Sequence, residues 1–159
     1  MNINLISLFR SRPQAMAKIK GSPDYPKISG NVYFYTTKLG TIVLSIISGL
    51  PDGEGECERP VFGFHIHSGE SCTGDETDYF KDVLTHYSPK ECQHPYHAGD
   101  MPPLFGVRGI AMSAFLTDRF DIREIIGKTV VIHSEPDDFT TQPSGNSGTK
   151  IACGEIRRG

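Results

Sequence analysis

The sequence predicts an all-β chain, a sandwich or small barrel with Greek-key connections. Two observations carry this. Short runs alternating apolar with polar or small residues recur along the chain, separated by Gly, Pro, Ser, Asp and Asn. Helical patterns are nearly absent; only Asp78–Leu84 and Phe120–Ile126 allow a helical turn or two. Such punctuation suits seven or eight short antiparallel strands.

The strands follow in order. Ala15, Ala17 and Ile19 alternate with Lys18 and Lys20. Val32 and Phe34 alternate with Asn31, Tyr33 and Tyr35. Ile42, Leu44 and Ile46 make one face of Thr41–Ser48, with Ser45 on the other. Ile110, Met112, Ala114 and Leu116 alternate with Ala111, Ser113 and Phe115. Lys128–His133 is β-branched and bounded by Gly127 and Pro136. Two stretches exceed any hairpin loop: Ser68–Gly106, with little strand pattern, and the polar, aperiodic Ser134–Lys150. Long ordered loops in a compact domain usually carry function. At 159 residues the chain is expected to form a single domain over 15–159, preceded by a loose N-terminal arm over 1–14.

A net charge of −3 and a pI near 6.0 argue against nucleic acid or a membrane surface as partner. No apolar run approaches the roughly 20 residues of a transmembrane helix. Met1–Phe9 is mildly apolar, but no basic residue precedes it and no Ala-x-Ala follows, so it makes a poor secretory signal. That favours the cytoplasm, or the periplasm or exterior if a signal has been removed. The four cysteines, Cys57, Cys72, Cys92 and Cys153, form no CxxC motif and leave room for a disulfide.

All six histidines fall into metal-ligand spacings. His65 and His67 lie two apart, so a strand points both imidazoles to one face. His86, His94, His97 and Asp100 crowd into one Pro- and Gly-containing stretch; three imidazoles and a carboxylate suit tetrahedral zinc. His133 ends the β-branched run. Taken singly, the first pair also fits surface histidines, the cluster a solvated loop, and His133 a core residue. Together they carry more weight. His65, His67 and His133 supply three nitrogens and lack a fourth, for which His86 is the candidate. A deprotonated imidazole offers one nitrogen to each of two metals, and four imidazoles in a flattened arrangement suit Cu(II).

These residues resemble the copper, zinc superoxide dismutase family. Gly63-Phe-His-Ile-His67, His86-Tyr-Ser-Pro, His97-Ala-Gly-Asp100, Ile126-Gly-Lys-Thr-Val-Val-Ile-His133, Asp137-Asp138 and Gly145-Asn-Ser-Gly-Thr-Lys-Ile-Ala-Cys-Gly154 read as its motifs, in family order, across roughly residues 15–156. The resemblance implies an eight-stranded antiparallel Greek-key β-barrel with two long functional loops. It implies copper on His65, His67, His86 and His133, zinc on His86, His94, His97 and Asp100, and His86 as bridge. It further implies an outer carboxylate, Asp137, on the far nitrogens of His65 and His94, and a disulfide between Cys72 and Cys153. Cys57 and Cys92 fall outside that pairing, either free or joined in a second bridge. The implied activity is dismutation of superoxide, an antioxidant reaction in which copper cycles between oxidation states and His86 takes up a proton. Family members pair through different faces or stay monomeric, so a homodimer is open.

The chain departs from the family pattern in four places, one being the loop after Asp138, which is short and lacks the family's cluster of acidic and basic steering residues. Only two residues separate His94 from His97, a compressed zinc loop. The stretch from Cys72 to His86 is extended and carries Asp75, Glu76, Asp78, Tyr79 and Phe80. Lys150 stands where the family has an arginine beside copper; lysine keeps the charge and loses the planar fork. A slower enzyme is therefore expected, with Lys150 attracting the anion. The alternatives are a copper/zinc-binding relative with weak or no activity, a copper-only enzyme, and a copper-delivery module.

Overall fold

The computed structural model describes residues 10–53, 55, 57 and 60–159. Among the described residues nine strands form: β1 Ala15–Gly21, β2 Ser29–Thr37, β3 Gly40–Ser48, β4 Val61–Phe62, β5 Phe64–His67, β6 Leu104–Phe105, β7 Ile110–Thr117, β8 Thr129–His133 and β9 Lys150–Arg158. Seven of them make one antiparallel sheet in the order β5–β8–β9–β1–β2–β3–β7, and β4 pairs with β6. β4 runs on into β5 at one edge while β6 lies beside β7 at the other, so this ribbon bridges the two edges of the curled sheet. The connections β3 to β5 and β7 to β8 cross between distant strands in the Greek-key manner expected. A short helix, α1 Ile122–Ile125, buries Ile122 and Ile125 in the core, and Glu124 accepts the Asp121 N–H at its start. No described helix is long and apolar enough to cross a membrane.

The core is built by the period-two rule. Ala17, Ile19, Val32, Phe34, Phe64, Ile66, Val130, Ile132 and Ile156 point inward together. For β3 the structure corrects the facing that its composition suggests. Val43, Ser45 and Ile47 face the core, while Leu44 and Ile46 point outward, Ile46 being 46% exposed. The register decides this: Val43 sits across from Phe34 and Phe115, both on the core side. Ser45 tolerates burial because its hydroxyl meets the Ser113 hydroxyl at 3.1 Å. The apolar positions Ile110, Met112 and Leu116 of β7 therefore also lie outside, Met112 at 73% exposure.

Both faces of β8 are covered. Val130 and Ile132 face the core, and Val131 packs on its other side against Phe80, Val83 and Cys153. The extended stretch after Cys72 thus lies on the outer face of β8 and β9, held there by a 3-10 turn over Lys81–Val83 and by the Cys72–Cys153 disulfide. Cys57 and Cys92 are free and exposed. The N-terminal arm expected over 1–14 falls mostly outside the described residues; Gln14, at its end, donates its N–H to the Phe34 carbonyl.

Candidate metal centre

The centre sits on the outside of the sheet. His65 pairs with Val131 across β5 and β8, so His65, His67 and His133 share the outer face while Phe64, Ile66 and Ile132 anchor the same strands in the core. A register shift between Ile132 and His133 skips Ile151 and sets His133 across from Lys150. Such a bulge re-aims side chains at a sheet edge or site. The long loop from Ser68 then folds over this face. Isolated bridges join His67 to His86 and His65 to Asp100, bringing the loop ligands against the strand ligands.

Two ligand sets result. His65, His67, His86 and His133 form one, and His86, His94, His97 and Asp100 the other; all are buried, and within each set the donor atoms lie within 4.8 Å of one another. In the second set, His86 Nδ1 is 2.8 Å and His97 Nδ1 3.2 Å from Asp100 Oδ1, and His97 Nδ1 is 3.4 Å from His86 Nδ1. A tetrahedral ion with bonds of about 2.0–2.1 Å separates its ligand atoms by about 3.3 Å, so these spacings match the edges of a zinc tetrahedron. His94 Nδ1 lies 3.1 Å from Asp100 Oδ2 with no hydrogen bond, as expected of two ligands aimed at a common centre.

Outer contacts choose the nitrogens. Burial works to raise the Asp137 carboxyl, but hydrogen bonds from His65 and the Phe139 N–H hold it below the ordinary carboxylate value. The ionised group only accepts. Its contacts of 2.7 Å to His65 Nε2 and 2.9 Å to His94 Nε2 therefore fix protons on both Nε2 atoms. The lone pairs fall on His65 Nδ1 and His94 Nδ1, which are buried without a hydrogen-bond partner. The Leu84 carbonyl, likewise only an acceptor, takes the His67 Nδ1–H at 2.9 Å. His67 Nε2 is left with its lone pair, 3.2 Å from His133 Nε2. His86 Nε2 is a further buried, partnerless nitrogen. Orphaned buried lone pairs converging in this way are costly unless an ion takes them.

The electrostatics suit cations. Burial, aided by the neighbouring imidazoles, pushes His67 well below the usual imidazole value; burial with His65 and His86 pushes His133 to about 3. His65 is lowered as well, chiefly by burial. These rings are neutral at pH 7, the state a metal requires. Burial would raise Asp100, but His86, His97 and His94 outweigh it and hold the carboxyl at about 2.

Three contacts here have no signal in residue spacing. Arg119 Nη1 donates to the carbonyls of Pro95, His97 and Asp100, at 2.9, 3.2 and 3.4 Å, clamping the compressed loop. Gln142 reads the His94 backbone at both ends, donating to its carbonyl at 2.6 Å and accepting its N–H at 3.1 Å. Lys150 lines the cleft over His67, His86 and His133, and its ammonium is ion-paired with Asp78 at 2.5 Å.

An antiparallel barrel carrying two buried ligand sets that share one imidazole defines a dinuclear metalloprotein, with a nitrogen-only site beside a nitrogen-and-carboxylate site. The family model described as copper/zinc superoxide dismutase (SODC) matches residues 28–156. The chain is 30% identical over 146 residues to copper–zinc superoxide dismutase 2 of Aquifex aeolicus, spanning 82% of this chain and 80% of that one. It is 30% identical over 143 residues to that of Photobacterium leiognathi (80% and 78%) and 31% over 140 residues to that of Legionella pneumophila (83% and 80%). The chain belongs to the copper/zinc superoxide dismutase family.

Proposed function

We propose that the protein dismutes superoxide to dioxygen and hydrogen peroxide, with copper held by His65, His67, His86 and His133 and zinc by His86, His94, His97 and Asp100. The observation that carries this is the shared ring: His86 belongs to both ligand sets, with Nδ1 beside Asp100 and Nε2 buried and unpartnered. Copper, with two accessible oxidation states, would supply the electron exchange with superoxide, and zinc, with one, a fixed charge. The chain's residues divide the remaining work. Asp137 orients His65 and His94, and the Leu84 carbonyl orients His67. One superoxide gives up an electron and leaves as dioxygen; a second accepts an electron and two protons to become peroxide. His86 Nε2, buried and without a hydrogen-bond partner, would be the site for one of those protons, while Nδ1 lies 2.8 Å from Asp100 Oδ1 on the side of the set that would hold zinc. Lys150, in the cleft wall, would supply positive charge for an anionic substrate in a net negative chain when its ammonium is turned from Asp78 toward the cleft.

The test is superoxide decay, followed by pulse radiolysis, with protein loaded to one copper and one zinc per chain. Second-order loss well above the buffer rate, abolished by His133→Ala, is expected. A fully loaded protein that leaves superoxide decay at the buffer rate would sink the proposal. We extend it to pairing of two copies, which the outward apolar residues Ile46, Met112 and Leu116 support. Sedimentation velocity reads this directly, and a single-chain mass at every concentration refutes it.

A further inference from the structure

Lys150 lines two depressions, one over the candidate metal ligands and one rich in carboxylates. On one side is the cleft over His67, His86 and His133, which Lys128 also lines, its ammonium 4.6 Å from the centre of the Tyr87 ring. On the other is a depression lined by Asp24, Glu76, Asp78 and Thr149. The Lys150 ammonium points to the second, with its side chain 18% exposed and Asp78 at 38%. Asp78 is well placed to hold it. Its Oδ1 accepts the Phe80 N–H at 3.1 Å, leaving Oδ2 for the lysine. The turn beneath is built around Asp75, whose carboxylate accepts the N–H groups of Thr77 and Asp78 and pairs with Lys81. Phe80 and Val83 pin that turn to Val131 and Cys153. The Asp78 carboxylate is thus delivered on an anchored turn, from a part of the chain 72 residues away.

We propose that Asp78 is a positioning residue that draws Lys150 away from the copper-side cleft and restrains the entry of small anions. This rests on the superoxide reading for its biological meaning. Two opposite unit charges in contact present almost no net field to an anion beyond a few ångströms, and salt screens the remainder over about 8 Å. In the paired state Lys150 cancels against Asp78, and among the described residues Lys128 and Glu91 are the other charged side chains lining the cleft. Freed, the lysine stem can swing its ammonium over His133, its cross-strand neighbour. The extended stretch after Cys72 and the lysine in place of the family's arginine then form one device: a flexible cation and a fixed carboxylate that sets its direction.

The probe is azide, titrated by absorbance into copper(II)- and zinc-loaded protein at low ionic strength. Asp78→Asn keeps the Phe80 hydrogen bond through its amide oxygen and removes the charge. It is expected to tighten azide binding about 3- to 10-fold and to raise the superoxide rate in the same direction, with both gains shrinking as salt increases. Glu76→Gln removes an equal charge from the same depression without breaking the pair, and is expected to change azide affinity less than about 2-fold. In a Lys150→Met background, Asp78→Asn is expected to have no effect, the mark of a coupled pair. Unchanged azide affinity in Asp78→Asn, an equal gain in Glu76→Gln, or a gain that persists without Lys150 each overturns the proposal. Wild-type protein assayed alongside separates the two readings. Azide responses as expected without superoxide loss reject the activity and keep the role of Asp78, whereas superoxide loss with unresponsive azide binding rejects Asp78 alone.

Discussion

Asp137 sets the proton positions of two rings with one carboxylate. Asparagine in its place keeps one acceptor and adds an amide donor, so His65 or His94 would face the wrong partner. Asp137→Asn is expected to weaken zinc binding about 10- to 100-fold, measured by competition with a chromophoric chelator. Unchanged affinity would remove Asp137 from any role in holding the rings. The space around it is equally constrained. Gly145 has φ +67°, and a Cβ there would fall 2.1 Å from Asp137 Oδ1 and 2.7 Å from His94 Nε2. The ligands themselves were legible in the sequence because their spacings are local and imidazole has few other reasons to cluster. Asp78 and Arg119 were not. Asp78 meets Lys150 across 72 residues, and Arg119 grips backbone carbonyls, which leave no trace in side-chain identity.

At the level of elements, the compressed stretch from His94 to Asp100 depends on borrowed support. Arg119, just past β7, donates to its Pro95, His97 and Asp100 carbonyls, and Gln142 donates to that of His94. Arg119→Met is expected to weaken zinc binding by about 10-fold or more while leaving copper affinity within about 2-fold, with lysine restoring part of the loss. Chelator competition run separately for each metal distinguishes this from general unfolding, which would lower both. The extended stretch before His86 has its own tether. Cys72–Cys153 closes 81 residues of sequence separation, and its loss in a Cys72→Ser, Cys153→Ser pair should cost about 4.5 kcal/mol in the chain-entropy account. Urea unfolding of the metal-free protein measures it, and a loss under about 1 kcal/mol would mean the unfolded chain is already restrained there. The strands were readable as strands, yet the inward face of β3 was not. Its outward positions are as apolar as its inward ones, and the buried Ser45 is satisfied by a serine on a strand distant in sequence.

At the scale of the whole molecule, the metal-free protein carries its ligands as a pH liability. His65, His67 and His133 all titrate below the ordinary imidazole value of about 6.5 when folded. Between that value and the folded ones, the unfolded chain binds more protons, so stability rises with pH up to about 6.5 and is lost as pH falls below it. Each such histidine adds a slope of about 1.4 kcal/mol per pH unit. Asp100 and Asp137, lowered in the fold, act in the same sense: their contribution is present above the ordinary carboxylate value and is lost as pH falls through the folded one, about 2 for Asp100. Urea midpoints of metal-free protein at pH 7.5, 5.5 and 4.5 should fall in that order; a flat series would contradict the burial of the rings. The all-β class and its Greek-key crossings were legible from alternation and punctuation, whereas the outer location of the centre needed the register. One further consequence follows from the ring of His86, which serves both ligand sets. The affinity of each site therefore depends on whether the other is filled. Whatever factor an ion in the four-histidine set imposes on the other site, an ion there must impose in return, because the free energy of filling both is independent of order. Calorimetric titrations begun from opposite ends should close to the same sum, and filling either site is expected to change the affinity of the other by one shared factor.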